Sequence, residues 1–276
     1  MWNWLVRWHP SRRQRARGIE DALWHATLQC YGFLEQLSAS EKSALRELCA
    51  GFLAHKRFHG AQGLTITDEM ALAITAQACL PLLHLAPGMS AAGRLRWYDD
   101  FVGIVLHPHE VVAAREETDD IGVVHQYQEV LSGESMDRGP VMLNWHDVRN
   151  SGASAHHGYN LVIHEFAHKL DLRDGQANGC PPLPRGFRGA LTTAQARSDW
   201  LAELHDAYQS FREQVIKAER FGAPEPWMDG YAAHSPPEFF AVACEAYFVQ
   251  RERFGQDFPG LLGLFDAFFR PATPAG

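Results

Sequence analysis

At 276 residues and 31.0 kDa the chain has room for one large domain or two small ones, and 46% hydrophobic with 21% charged residues excludes a mainly disordered or collagen-like polypeptide. Its 25 Lys and Arg against 33 Asp and Glu give a formal charge of -8, the wrong sign for life on phosphate backbones, so direct nucleic-acid binding is not expected. No window approaches the roughly 20 consecutive apolar residues of a membrane span, the apolar-then-basic N-terminus reverses the order of a secretory signal, and five cysteines without a Cys-x-x-Cys pair argue for a reducing cytoplasm.

From Ile19 to about Leu85 apolar residues such as Leu23, Leu34, Leu37, Leu45, Leu48 and Phe52 recur at helical spacing, with a helix start expected at Ser40-Glu41. Leu64–Thr67 reads as a short strand before a second helix, Asp68–Leu83, which Pro87 and Gly88 close off. Between Tyr98 and Val148 the character changes: Phe101–Leu106, Gly122–Tyr127 and Pro140–Trp145 are rich in β-branched and aromatic residues and bounded by turn formers, so three or four strands are expected. The helical period returns after Gly158, with helices predicted over 160–172, Thr193–Phe221 and Pro237–Phe254, and Phe258–Phe269 closing the core. Asp174–Arg188, rich in proline and glycine, reads as a surface excursion. Helices, then strands, then helices predict an α+β fold with a small sheet. We read residues 1–276 as a single compact unit, with a helical part over 19–90 and a second part over 95–270.

Chemistry concentrates in Leu161-Val-Ile-His-Glu-Phe-Ala-His-Lys-Leu-Asp171. Four residues apart on a helix, His164 and His168 share one face and can reach a single ion. Glu165, rotated by about 100°, can sit beside that ion and take a proton from water that the ion has acidified. This is the His-Glu-x-x-His arrangement of zinc metalloproteases. A buried histidine pair without a partner would be costly, which favours metal binding over a packing role for the pair.

A catalytic zinc takes three protein ligands and leaves one position open. Asp174 stands at metzincin-like spacing, but that scheme wants a glycine where Asp171 stands, so it is the weaker choice. The better third ligand is Glu238, in the first turn of a helix opened by Pro236-Pro237. Glu245, two turns on, is a more remote ligand, a hydrogen-bond acceptor behind a ligand, or a solvated glutamate. Asp171, one turn beyond His168, either orients an imidazole N–H or is a plain helix-end carboxylate. With two histidines and a glutamate, zinc is the default ion.

His164-Glu-Phe-Ala-His-Lys-Leu-Asp171, Gly139-Pro-Val-Met-Leu-Asn-Trp145 upstream and Tyr231 through Phe248 downstream together resemble the Mlc titration factor A family of bacterial zinc metallopeptidases, over most of residues 20–270. The Tyr231-to-Glu238 spacing also resembles the catalytic domain of anthrax lethal factor. The resemblance implies a zincin-like fold: a small mixed sheet, an active-site helix and surrounding helices. It implies one Zn2+ per chain on His164, His168 and Glu238, with Glu165 as general base. It makes Tyr231, otherwise an ordinary packed tyrosine, a donor to the oxyanion. It also matches His125, by spacing only a strand-end residue, to a further ligand that would displace water and close the resting site. Gly139–Trp145 resembles the strand bordering the cleft, whose free backbone groups could pair with an extended peptide; packing of Val141, Leu143 and Trp145 is the competing explanation.

Two functions are therefore expected. One is hydrolysis of peptides by metal-activated water, which the resemblance implies to be aminopeptidase-like. The other, implied by the resemblance, is binding and inactivation of an Mlc-type transcriptional repressor of glucose phosphotransferase genes. In the alternative reading, the chain is a non-catalytic sequestering protein whose zinc site is structural or regulatory.

Overall fold

The computed structural model describes residues 18–109 and 139–272 in full, and the backbone alone for 6–7, 111–118, 124–131 and 133–135. Seven strands are described. These are β1 (Val6–Arg7), β2 (Arg57–Gly60), β3 (Gly103–His107), β4 (Val111–Thr118), β5 (Val124–Leu131), β6 (Gly133–Ser135) and β7 (Val141–Asn144). Five form one sheet in the order β1-β2-β3-β7-β6; β4 and β5 pair separately. At the centre β2, β3 and β7 run parallel, with Phe58 opposite Ile104 and Leu106 opposite Leu143, while β1 and β6 run antiparallel on the two outer sides. Ile104, Val105, Leu106 and His107 are all buried, as a parallel strand covered on both faces requires.

The helices are α1 (Asp21–Cys30), α2 (Gly32–Glu35), α3 (Ala39–His55), α4 (Asp68–Cys79), α5 (Ala91–Leu95), α6 (Trp145–Ser154), α7 (Leu161–Asp171), α8 (Thr193–Phe221), α9 (Pro236–Val249), α10 (Arg251–Asp257) and α11 (Pro259–Phe269). The fold is mixed α and β, mostly helical around a small sheet with three parallel strands. Buried apolar side chains from Trp24 to Phe269 join in one contiguous core.

The aromatic residues of that core set the orientation of α7. Phe166 packs edge-on to Tyr98 at 4.9 Å between ring centres, and against Phe52 and Phe101 at 5.8 Å. With 3.6 residues per turn, a Phe166 locked inward turns His164 and His168 toward the opposite side. On the same inner side Lys169 is fully buried, its ammonium donating to the Gly139 carbonyl at 3.2 Å, 3.8 Å from Asp100 and over the Phe101 ring. Helix α9 runs beside α7 with every residue from Phe239 to Tyr247 buried.

Several sequence expectations are corrected. Leu64–Thr67 is not a strand: Thr67 caps α4 by accepting from the Met70 N–H, and Leu64 N–H bonds back to Ala61 in a turn. The strand lies earlier, at Arg57–Gly60, where a Cβ on Gly60 would stand 1.8 Å from the Leu64 carbonyl oxygen, so only glycine permits the close return. Helix α3 starts at Ala39, one residue before the expected Ser40, because Ser38 and Glu41 form a reciprocal capping box. Trp145 opens α6 rather than ending a strand, because the Asn144 side chain accepts the Asp147 N–H as a helix cap. The helix expected over Pro237–Phe254 breaks at Gln250 into α9 and α10.

Candidate metal centre and active site

Three local devices bring the site residues together. Asn160 caps α7 through the Ile163 N–H at 2.9 Å, and the buried Leu161-Val162-Ile163 run fixes the first turn that leads into His164. Ser235 caps α9 by accepting the Glu238 N–H, which puts that carboxylate at a helix N-terminus, where partial positive charge favours it. Asp229 accepts the Tyr231 N–H at 2.9 Å and starts the short turn Gly230–Ala233, which Tyr208 of α8 anchors by donating to the Ala233 carbonyl at 3.1 Å.

His164 Nε2, His168 Nε2 and Glu238 Oε2 converge: 3.1 Å between the nitrogens, then 3.1 and 3.3 Å from each to the carboxylate oxygen. Tetrahedral ligation at 2.0 to 2.1 Å would space ligand atoms about 3.3 Å apart, close to these separations. Glu245 fixes the tautomer. Its Oε1 accepts from His164 Nδ1 at 2.7 Å, so in a neutral ring the Nε2 lone pair is the one that faces His168 and Glu238. A cluster of lone pairs at such distances suits a cation. Among the described residues, these three are the group placed to hold a metal ion.

Around the trio the carboxyl groups differ. Burial opposes ionisation of Glu238, but the two imidazoles outweigh it and hold its pKa well below the usual carboxylate range. Glu165 is 2% exposed, and its Oε2 has no hydrogen-bond partner. Burial pushes its carboxyl up to about 7, against the pull of His164 and His168. Glu245, at 1% exposure, is also raised by burial. Of the roles open to it, the structure gives the buried acceptor behind His164; it is neither solvated nor a member of the converging trio.

Tyr231 lies at the mouth of the site, 40% exposed, with its ring centre 6.1 Å from that of His164 and 4.8 Å from the ring of His234. Asp171 is buried and raised to about 6 by desolvation. Its Oδ2 accepts the Gly179 N–H at 2.8 Å, so it anchors the 175–180 loop rather than an imidazole. Asp174, the weaker third-ligand candidate, pairs with Arg197 and accepts the Gln176 N–H, away from the trio. His125 sits on β5 opposite Glu117, and its side chain lies outside the described residues.

The expectation for Gly139–Trp145 is corrected. Strand β7 has no free edge: β3 pairs with it on one side and β6 on the other, through Gly133 opposite Leu143 and Ser135 opposite Val141. Among the described strands, β6 is the outer one on this side of the sheet, and it lies against α7. Strand β6 is Gly133-Glu134-Ser135, with no aliphatic or aromatic residue, so it gave no periodic strand signal. Asn160 was missed, being placed inside the expected 160–172 helix, although an Asn directly before an apolar helical run is a cap signature.

Helix-borne imidazoles, a carboxylate from a neighbouring helix and a buried glutamate beside them define a metallopeptidase class of site. The sequence profile described as glucose-regulated metallo-peptidase M90 matches residues 5–270, and the chain belongs to that family. Mlc titration factor A of Salmonella arizonae is 34% identical over 268 residues, covering 96% of this chain and 97% of that protein. The protein of the same name from Klebsiella pneumoniae is 33% identical over 267 residues, covering 96% of this chain and 92% of its own.

Proposed function

We propose that the chain is a zinc-dependent peptidase with a zincin-like catalytic part, acting as one unit in the cytoplasm on the N-terminal residues of short peptides. The observation that carries this reading is the convergence of His164, His168 and Glu238 beside a buried Glu165 oxygen that has no partner. His164, His168 and Glu238 would hold the ion. Zinc at that place supplies Lewis acidity, which acidifies water and polarises a carbonyl.

The chain's own residues carry the remaining steps. Glu165, with a carboxyl raised toward neutrality, takes a proton from the attacking water and returns it to the leaving amine. Tyr231 donates its phenolic O–H to the carbonyl oxygen as negative charge develops there. The outer edge of β6 offers backbone groups to an extended peptide by strand addition. His125 remains a proposed further ligand that guards the resting site. Chelation should abolish hydrolysis of aminoacyl chromogenic substrates, and zinc should restore it. Tyr231→Phe should lower kcat about a hundredfold at unchanged zinc content. Zinc-independent hydrolysis would refute the proposal.

A second activity is proposed on the relatives' name, Mlc titration factor A, which points to a partner called Mlc. We infer that this chain binds an Mlc-type transcriptional repressor, and that binding is separable from hydrolysis. A purified repressor of that type should be retained equally by wild type and Glu165→Gln. No retention by either would remove the partner.

A further inference from the structure

Behind the trio, a line of buried polar side chains leads from His164 to the N-terminal helices. Glu245 Oε1 accepts from His164 Nδ1 at 2.7 Å, and its other oxygen accepts the backbone N–H of Asn160. Asn160 is fully buried and uses every group it has. Its Oδ1 accepts the Ile163 N–H at 2.9 Å, its carbonyl accepts the His164 N–H at 3.0 Å, and its Nδ2 donates to Gln77 Oε1 at 2.8 Å. Gln77 is fully buried on α4, in a run from Ala71 to Cys79 that is otherwise small or apolar apart from Thr75. Its Nε2 donates to the Ala73 carbonyl one turn back at 3.0 Å, which leaves Oε1 pointing at Asn160.

Satisfaction of these groups admits one arrangement. Gln77 can present only an acceptor to Asn160, so the Asn160 amide nitrogen must face α4 and its oxygen must face the start of α7. The Asn160 N–H and the His164 Nδ1–H then meet the two oxygens of one carboxylate, and each of these buried groups has its partner. A glutamine on a buried helix face costs desolvation that a methionine of similar size would avoid; the Ala73 carbonyl offsets it at Nε2 and the Asn160 amide at Oε1.

We propose that Asn160 and Gln77 are positioning residues for the metal centre: through Glu245 they hold the His164 imidazole in the ligating orientation, so that α4 of the N-terminal helical part sets metal affinity. The inference rests on the metal-site reading of His164, His168 and Glu238. Partners of this kind behind a ligand change metal affinity about 10- to 100-fold when removed.

Zinc competition against a chromophoric chelator, together with the visible spectrum of the Co2+-substituted protein, tests the inference without any assay of hydrolysis. Asn160→Ser keeps a helix cap but severs the link to α4; Gln77→Met conserves volume but orphans the Asn160 amide. Each should weaken zinc binding about tenfold in the folded protein and shift the Co2+ bands. Leu45→Ala, a core truncation on α3, should lower Tm and leave zinc affinity unchanged, which separates positioning from general stability. Wild-type binding near one zinc per chain with both variants within twofold of it would overturn the inference alone. Wild-type protein that takes up no zinc would overturn the metal-site reading and the inference with it.

Discussion

Helix α9 carries one carboxylate in its first turn and another in its buried middle, and both reach the same imidazole from opposite sides. Glu238, with a side chain 22% exposed, lies 3.1 Å from His164 Nε2; Glu245, at 1%, lies 2.7 Å from Nδ1. At the open end the carboxylate is held below its usual pKa range; at the closed end burial raises it. Residue type does not separate them, and neither does the helix they share. What separates them is whether the surroundings supply two imidazoles and solvent or only fixed donors in a dry interior, and this divides a group suited to ligate an ion from one suited to orient a ligand.

Removing the open-end carboxylate should have the largest effect. Glu238→Gln withdraws the only anionic member of the converging trio, and zinc retained after dialysis should fall from about one per chain to near none, read by elemental analysis. Next comes Glu165, beside both. Its carboxyl, raised by burial to about 7 from an ordinary 4.5, keeps a proton in the folded chain that the unfolded chain releases. In chelator, stability should therefore fall as pH rises from about 4.5 to about 7 and level off above, a loss of roughly 3 kcal/mol. Glu165→Gln lacks that cost, so its Tm advantage over wild type should grow across the same window. An advantage independent of pH would contradict the raised carboxyl.

Glu245→Gln sharpens the contrast with Glu238. The amide can still accept from His164 but loses the charge, and zinc affinity should drop about 10- to 100-fold without the complete loss expected at Glu238. Smallest is a change remote from both: Ser38→Ala breaks the capping box of α3 and should cost about 1 kcal/mol in denaturant unfolding while zinc affinity stays as in wild type.

The long helices and the trio were legible because their signals are local. Thr193–Phe221 carries its own cap at Thr192 and its own stop at Gly222, and its observed limits are the expected ones. His164 and His168 are bound by helical spacing alone. Glu238 needed only a helix start, which Pro236-Pro237 announce. What the sequence withheld depends on partners distant along the chain. The 64–67 segment has β-branched residues but no ladder to join, since the Arg57–Gly60 segment takes the place beside β3. The role of Gln77 is invisible without Asn160, which follows it by 83 residues in sequence and meets it at 2.8 Å. Asp171 was open between two roles and has a third, because the loop it anchors returns only after Gly175 reverses the chain.

Hydrolysis of a panel of aminoacyl substrates by metal-quantified wild type and Glu165→Gln tests the central claim most directly. We predict about one zinc per chain in both proteins, turnover in the wild type, and a loss of 100-fold or more in the variant, on the order expected for a general base. Equal zinc with equal, negligible turnover in both would contradict a catalytic centre and leave a metal site without hydrolysis.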